Sequence, residues 1–456
     1  MVHFTRRFAS QFLKCNGKKQ QKNRTNKPTA LVHVPGFRVQ SKGTWVTFAS
    51  ITYYTDIYYG NENAATIFNV IFMVLSIPLG IVAIAFFGSM VNFVGNLFRV
   101  LGSASFITDK LLRFWLVVVG QIGAASAQPF IMYLPTKMAA LWFAENQRVI
   151  ANTIASMSNP LGVAAIYAIS PVFVNADHSD WFIELTGTVC GLTLITMLLS
   201  FGVTSSKPKL PPSASSEDRQ TPKFVESLRQ IICIPAFWVL VIAVGSSIGL
   251  FNCIYNNLQP TLCSRGYSNT YSGIMGAGMI VSGISGAAVA GIIVDSTKRF
   301  LLVYKICLVG TLLAAVSLAL TISHENRQYL IATFIFAFGF FGFPTYPLGL
   351  ELAVETTFPV PEATSSGSLI VAGQVFGVLY IVITGLFNRS PSERLKEIQT
   401  CVKIDKSIEV NDWEVSSYIW TAILVLTCVI GVSLFWPRYR RIEYENAKRQ
   451  MNVVPE

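Results

Sequence analysis

The chain has 456 residues, of which 52% are hydrophobic and only 13% charged, and its mean hydropathy is +0.50. Soluble domains carry roughly 25% charged residues, so this composition excludes a soluble protein, which could not cover its surface. The net charge of +11 arises almost entirely from residues 1–43, which hold ten Lys or Arg and no acid, whereas the other 413 residues carry 25 basic and 24 acidic side chains.

The basic N-terminal tail, residues 1–43, is predicted to lie beside anionic lipid. Its charge precedes apolar segments instead of covering a folded face, which favours a membrane surface over nucleic acid as its partner. The tail lacks the short apolar stretch and small-residue cleavage site of a secretory signal.

Apolar windows of about 20 residues, the length that crosses a bilayer core, recur along most of the chain. The Pro- and Ser-rich segment 205–230 reads as a linker between an N-terminal bundle, 44–204, and a C-terminal bundle, 231–437, with a second tail at 438–456. The expected fold class is therefore all-α, a polytopic membrane protein with six plus six helices. The predicted spans are 44–59, 64–87, 89–103, 112–134, 149–174, 182–204, 232–258, 271–294, 301–322, 328–350, 363–387 and 415–436.

The first three spans are atypical. The first is aromatic and polar (TWVTFASITYYTDIYY), and residues 64–104 form one apolar run without a charged loop. As a single helix this run would be about 60 Å long, twice the membrane core. It is expected to break near Pro78, Gly80, Gly88 or Gly95.

Basic loops predict the topology. The linker, residues 295–299 and residues 438–449 are basic, whereas residues 175–180 are acidic. The positive-inside rule then places the linker and both termini in the cytoplasm, which requires an even number of spans. We expect a monomer in the plasma membrane, with a lysosomal or other endomembrane as the alternative.

Polar side chains recur within the spans at i, i+4, i+7, which is one face of a helix. Such residues normally face a bundle interior or a water-filled cavity, so together they predict a polar central path. Interhelical hydrogen bonding is the alternative role. The stripes are Asn92, Asn96 and Arg99; Asn152, Ser156 and Asn159; Asn252, Asn256 and Gln259; and Gln121 with Gln128, while Gln374 stands alone.

Aromatic residues accompany the stripes in the first and seventh spans. Trp45 and Phe48 lie in the first, and Phe251 and Tyr255 in the seventh. Aromatic faces attract quaternary ammonium groups without a counter-charge, although an interfacial aromatic belt is the alternative.

Motifs for ATP hydrolysis and for metal chemistry do not occur. There is no GxxxxGK[ST] or HExxH pattern and no Cys/His spacing typical of a metal site, so we expect neither an enzyme nor an ATP-driven pump, and no cofactor. Glu351 and Glu355, at i and i+4 near the end of the tenth span, are candidates for an intracellular gate or a proton relay. Cysteines within apolar runs, including Cys233, are expected to act as small hydrophobes, and no disulfide framework is expected.

Longer motifs carry a family resemblance. The segments AQPFIMYLPTKMAALWF (127–143), NQRVIANTIASMSNPLG (146–162), YPLGLELAVETTFP (346–359) and TSSGSLIVAGQVFG (364–377) resemble the feline leukaemia virus subgroup C receptor-related family, solute carrier family 49 of the major facilitator superfamily. ALWFAENQR and DWEVSSYIW are most similar to its third member. The resemblance implies twelve spans, cytoplasmic termini and alternating access, with choline, ethanolamine or haem among the family's solutes.

The resemblance also implies site residues. Trp45, Gln128 and Gln374 match a Trp and two Gln in the central site of choline-transporting relatives, whereas their seventh-helix aromatic aligns with Asn252. Because Asn252 replaces this aromatic residue, the resemblance predicts choline as the solute only if Phe251 or Tyr255 supplies the missing ring. Asn256 lies on the same face of the seventh span as Asn252. Asp295 and Arg299 in VDSTKR resemble the retained gate motif of the second half, whereas the matching loop of the first half is missing.

Three functions follow as alternatives. The leading one is facilitative transport of a small polar or cationic solute such as choline or ethanolamine. Haem transport ranks lower because the spans hold no His. The missing loop supports a third alternative, a truncated paralogue that regulates and does not transport.

Overall fold

The computed structural model describes residues 46–79, 85–132, 145–175, 178–201, 224–297, 299–322, 324, 326–388, 390, 411–437, 439, 440 and 443. These residues form long helices and their connections. The helices of the first half are α1 (Thr52–Tyr59, preceded by the 3-10 turn Ala49–Ile51), α2 (Ala64–Leu79), α3 (Ala85–Gly102), α4 (Lys110–Met132), α5 (Glu145–Phe173) and α6 (Phe182–Ser200).

The second half begins with a short amphipathic helix, Phe224–Ile232, which we call the linker helix. Six longer helical elements follow it. They are α7 (Pro235–Leu240, a π turn Val241–Gly245 and Ser246–Cys263), α8 (Asn269–Thr297), α9 (Phe300–Ile322), α10 (Gln328–Gly342 and Thr345–Thr357), α11 (Glu362–Leu386) and α12 (Glu414–Val429 with a π turn Ile430–Leu434).

These helices confirm an all-α polytopic membrane protein with twelve helical elements. Eight stretches of the described chain are long and apolar enough to cross a membrane, and Ala64–Val74 and Ser158–Phe173 are shorter apolar helices. The hydrocarbon core of a membrane offers no hydrogen-bond partners to backbone N–H and C=O groups. Such apolar runs therefore fold as helices, in which these groups bond to one another. The eight stretches lie in α4 and in α6 to α12. α1 is the shortest of the twelve elements, and its 8 residues extend only about 12 Å.

The long apolar run 64–104 forms two helices. α2 ends at Leu79 and α3 begins at Ala85, and both pack against α4. Gly95 and Gly120 allow α3 and α4 to approach closely, since a Cβ atom at Gly120 would lie 2.6 Å from the Gly95 carbonyl oxygen. Residues 80–84, between α2 and α3, lie outside the described residues, so the position of the expected break stays a prediction.

The two ends of the bundle are distinguished by interactions between helix termini. At one end, which we call the linker side, the Ser89 hydroxyl at the start of α3 bonds to Ser200 at the end of α6, 2.9 Å apart. At the opposite end, the far side, the Tyr58 hydroxyl near the end of α1 donates to the Ser103 carbonyl just after α3. Arg265, just after α7, pairs there with Asp412 and Glu414, both at 2.9 Å.

Among the described residues, the two halves contact each other in the middle and on the far side of the bundle. α5 packs against α8, α2 against α11, and the 3-10 turn before α1 against α7. One core cluster includes Val46, Met73 and Tyr167 from the first half together with Tyr255 and Met279 from the second. The two halves are therefore joined around α7.

α10 is broken at its middle. Pro344 has no amide hydrogen to donate to the preceding turn, which interrupts the backbone hydrogen bonds of the helix. Beside it, the Thr345 hydroxyl donates to the Gly342 carbonyl at 2.6 Å. Gln328–Gly342 packs against α8 and α9, whereas Thr345–Thr357 packs against α7, α9 and α11. The second segment extends the predicted tenth span beyond residue 350 and carries both of its glutamates.

Candidate functional site

The centre of the candidate site is the polar face of α7. Asn256 is 6% exposed, and its amide nitrogen donates to the Asn252 carbonyl at 2.8 Å. Its side-chain oxygen is buried and accepts no hydrogen bond from any described residue. Because a buried polar atom without a partner costs free energy, this oxygen is available to a donor that enters the site.

Tyr255 lies on α7 at the contact between the halves. Its ring is 5.3 Å from that of Tyr167 on α5 and 5.0 Å from that of Phe251, centroid to centroid. The Tyr167 hydroxyl donates to the Tyr255 carbonyl, which links α5 to α7 across the two halves. The Tyr255 hydroxyl itself is buried without a partner among the described residues.

α11 brings its polar residue to the same region. Gln374 is 7% exposed and lies one turn before Gly377, where α2, α7 and α11 meet. A Cβ atom at Gly377 would lie 3.3 Å from Met73 Sδ and 3.6 Å from the Asn252 side chain. Gln374 and Asn252 therefore belong to neighbouring faces of packed helices, as the sequence predicts.

The first half contributes Gln128 on α4. This side chain is 2% exposed, and its oxygen has no partner among the described residues. Ala125, one turn earlier, joins the core cluster that also contains Val46 and Tyr255. Trp45, which precedes Val46, lies outside the described residues, so its predicted role stays a prediction.

The other polar stripes differ in their partners. Asn96 donates to Asn92, and Arg99 donates to Asn96 at 2.8 Å, so this stripe is bonded within α3. Arg99 is fully buried, 4.8 Å from the centre of the Phe48 ring. Gln121 instead ties α4 to α2 through the Phe68 carbonyl. These hydrogen bonds favour the structural role for this stripe and for Gln121, although Arg99 Nε and Nη2 and Gln121 Oε1 are buried without a partner among the described residues.

The stripe on α5 is only partly described. The side chains of Asn152 and Ser156 lie outside the described residues, whereas the Asn159 oxygen is buried without a described partner. Tyr167, eight residues after Asn159 on α5, is not among the residues that the sequence predicts. A single tyrosine in an apolar helix has the same pattern as a core residue, so no signal in the sequence identifies it.

The predicted gate residues lie on the linker side. Arg299 and Glu351 are exposed, whereas Glu355 is 5% exposed. The Asp295 side chain lies outside the described residues. Burial raises the pKa of the Tyr439 phenol, and the negative charge of Glu355 raises it further. The Glu355 carboxylate therefore lies near Tyr439, which follows α12.

The cysteines depart from the expectation at two positions. Cys263, at the far-side end of α7, is disulfide-bonded, and its partner lies outside the described residues. Cys233 is exposed after the linker helix, so the prediction that it acts as a buried hydrophobe is wrong. The other free cysteines of the described chain are buried: Cys190, Cys253, Cys307 and Cys428.

The geometry suits a small organic solute. Neutral amides, a phenol and aromatic rings surround the contact between the halves, and no group of three or more His, Cys, Asp or Glu able to hold a metal occurs in the described part of the chain. Amide oxygens accept hydrogen bonds from an ammonium or hydroxyl group, and rings attract a cation.

Comparisons with known proteins agree with this architecture. Residues 43–384 match the Major Facilitator Superfamily. Solute carrier family 49 member A3 of Xenopus tropicalis is 30% identical over 90% of this chain and 88% of the relative. The human choline/ethanolamine transporter FLVCR2 is also 30% identical, over 75% of this chain and 68% of the relative. A bacterial homologue of the lysosomal transporter Spinster, inward-facing and occupied, superimposes with a TM-score of 0.62 at 13% identity, covering 90% of this chain and 97% of that one.

Proposed function

The chain belongs to solute carrier family 49 of the major facilitator superfamily, and from this premise we propose that it transports a small polar or cationic organic solute of the choline or ethanolamine type. The observation that carries the proposal is the pair of unpartnered polar atoms on Tyr255 and Asn256, buried beside the contact between the halves. Relative movement of the halves would expose this site alternately to the two sides of the membrane. Such movement does not require an ATP-binding loop of the GxxxxGK[ST] type.

The available atoms favour a solute with N–H or O–H donors. The unpartnered amide atoms of Gln128, Asn159 and Asn256 are all oxygens, which only accept. A primary ammonium group donates three hydrogen bonds, whereas a trimethylammonium group donates none. We therefore infer that ethanolamine fits this site better than choline, with the rings of Phe251 and Tyr255 attracting the cation.

Uptake measurements test the proposal. Proteoliposomes containing the full chain are expected to accumulate labelled ethanolamine above protein-free liposomes, with unlabelled ethanolamine competing at lower concentration than choline. Gln374→Ala is expected to lower uptake at least about tenfold, the effect of losing roughly 1.4 kcal/mol of solute interaction. Tyr329→Phe, at a residue that is 89% exposed on α10, is the control and should leave uptake unchanged. Accumulation of neither solute above the blank would contradict the proposal.

The orientation in the membrane is also proposed. Disulfides persist in oxidising compartments, so the bonded Cys263 supports an extracellular or luminal far side. The linker side, the linker and both termini would then face the cytoplasm, in agreement with the basic loops. We place the protein in the plasma membrane as a monomer, with residues 1–43 beside anionic lipid, and propose Asp295, Arg299, Glu351 and Glu355 as its cytoplasmic gate.

A further inference from the structure

A pocket opens on the linker side of the second half, away from the solute site. Its volume is about 380 Å³, and it lies between the linker helix, residues 357–360 in the turn from α10 to α11, and Arg440. Three charged side chains line it: Glu226 and Arg229 from the linker helix, and Arg440 from beyond α12. None of the three forms an ion pair with another described residue, so their charges are available to a ligand.

The linker helix has one buried face and one charged face. Ser227 and Ile231 are fully buried where this helix packs on the bundle, and the helix contacts α11. Glu226 and Arg229 are exposed on the opposite face. The buried face therefore holds the helix in place, and the charged face forms one wall of the pocket.

Aromatic and basic residues indicate where the pocket lies relative to the membrane. Trp238 is 49% exposed and donates its indole N–H to the Ile232 carbonyl, and Trp436 is 74% exposed. Lys305 Nζ lies 3.6 Å from the centre of the Trp436 ring and donates to the Val432 carbonyl. Half-exposed tryptophans with a polar contact are typical of the boundary between hydrocarbon and headgroups. We therefore expect Arg229 and Arg440 to lie at the level of the headgroups.

We propose that this pocket binds the headgroup of an amine-bearing anionic phospholipid, of the phosphoserine type. Arg229 and Arg440 would contact the phosphate and carboxylate oxygens, since a guanidinium group donates paired hydrogen bonds to either. Glu226 would accept from the headgroup ammonium, and the acyl chains would lie along exposed Ile232 and Trp238. The residues lining this pocket include none of those proposed to bind the solute, so this proposal does not depend on which solute is transported.

The charge pattern explains the choice of headgroup. Two arginines alone would bind any anionic lipid, because a basic residue at the surface contributes about 1 kcal/mol regardless of the headgroup. The carboxylate of Glu226 repels an anionic headgroup that lacks an amine, such as phosphatidylglycerol, and attracts one that carries an ammonium group. The pocket is therefore expected to prefer phosphatidylserine to phosphatidylglycerol, although both lipids have the same net charge.

Native mass spectrometry of the full chain tests the preference. The protein is purified in detergent and mixed with phosphatidylserine, phosphatidylglycerol or phosphatidylcholine, and the bound fraction of each is measured. Phosphatidylserine should be retained most. Arg229→Gln and Arg440→Gln are each expected to weaken its binding about fivefold. Glu226→Gln should remove the preference for phosphatidylserine over phosphatidylglycerol. Arg327→Gln, an exposed far-side arginine, is the matched control and should change nothing.

Soluble ligands distinguish a lipid site from a site for a free anion. Glycerophosphoserine and inorganic phosphate should compete with phosphatidylserine only weakly, because neither has acyl chains. Equal binding of the two anionic lipids to the unmodified chain, or unchanged binding in both arginine variants, would overturn the proposal. So would competition by inorganic phosphate at the lipid's own concentration. Size-exclusion chromatography confirms that each variant is folded, which keeps a loss of binding interpretable.

Discussion

At the scale of single residues, the contact between Tyr167 and Tyr255 shows how one pair serves both stability and function. The Tyr167 hydroxyl is used in a hydrogen bond between the halves, whereas the Tyr255 hydroxyl is buried without a described partner. Two phenols 5.3 Å apart by ring centroid thus have opposite hydrogen-bonding states. We expect the first hydroxyl to contribute to stability, and the second is the one that we propose for the solute.

Removing each hydroxyl separately should have different effects on stability. Tyr167→Phe is expected to lower the free energy of unfolding by about 1 kcal/mol, because it leaves the Tyr255 carbonyl without that donor. Tyr255→Phe is expected to leave stability equal or higher, since it removes a hydroxyl that has no described partner, and yet to lower uptake. Thermal unfolding in detergent and uptake in proteoliposomes measure the two effects. A destabilised Tyr255→Phe with normal uptake would show that this hydroxyl has a structural role.

Sequence alone predicts part of the candidate site at this scale. Helical spacing and family motifs point to Asn252, Asn256 and Gln374, which lie on the packed helices α7 and α11. Their role in binding a solute stays a prediction. Tyr167 was missed because a lone tyrosine in an apolar helix has the same pattern as a core residue. Its function depends on a partner almost ninety positions away, which spacing within one helix cannot reveal.

At the scale of elements, the glycines of α8 allow the two halves to meet. A Cβ atom at Gly276 would lie 2.3 Å from Tyr167 Cδ1, so only glycine permits α5 and α8 to pack this closely without rearrangement. At Gly291 on the same helix, no atom lies within 4 Å of the same added Cβ. Helix existence was predictable from hydropathy, but which small residues touch a partner was not, because periodic glycines occur along the whole helix.

This difference predicts the outcome of a matched pair of substitutions. Gly276→Ala is expected to separate α5 from α8 on the far side and to lower uptake several-fold, because the closed contact no longer fits. Gly291→Ala should leave uptake unchanged and slightly favour the helix, since alanine is the better helix former by about 1 kcal/mol. Distances between spin labels on the far-side ends of α5 and α8 would report the separation. Equal behaviour of the two variants would argue against a role for this contact.

At the scale of the whole molecule, the architecture was predictable and the orientation is testable. The division into six plus six helices follows from twelve apolar runs and a polar linker, whereas the break in α10 and the disulfide at Cys263 did not emerge from sequence patterns. Both depend on three-dimensional context: the first on packing around Pro344, and the second on a partner distant from α7.

The exposed thiol of Cys233 can establish the orientation. A membrane-impermeant maleimide is expected to label the peptide containing Cys233 only after the plasma membrane is permeabilised, because the linker side should face the cytoplasm. Peptide mass spectrometry measures the labelling, and Cys233→Ser supplies the background. Labelling in intact cells would reverse the proposed orientation.

The break in α10 has a consequence for how the second half moves. Its two segments have partly different neighbours, since the far-side segment packs on α8 and the linker-side segment on α7 and α11, while α9 contacts both. Pro344 lacks the N–H that would bond to the preceding turn, so we expect the helix to bend more easily there than elsewhere along α10. A small tilt of the linker-side segment would carry α7 and α11 with it, while the far-side segment stays packed on α8. Under the proposed function, the solute site would then open in part by bending within one half, as well as by rocking of the two halves.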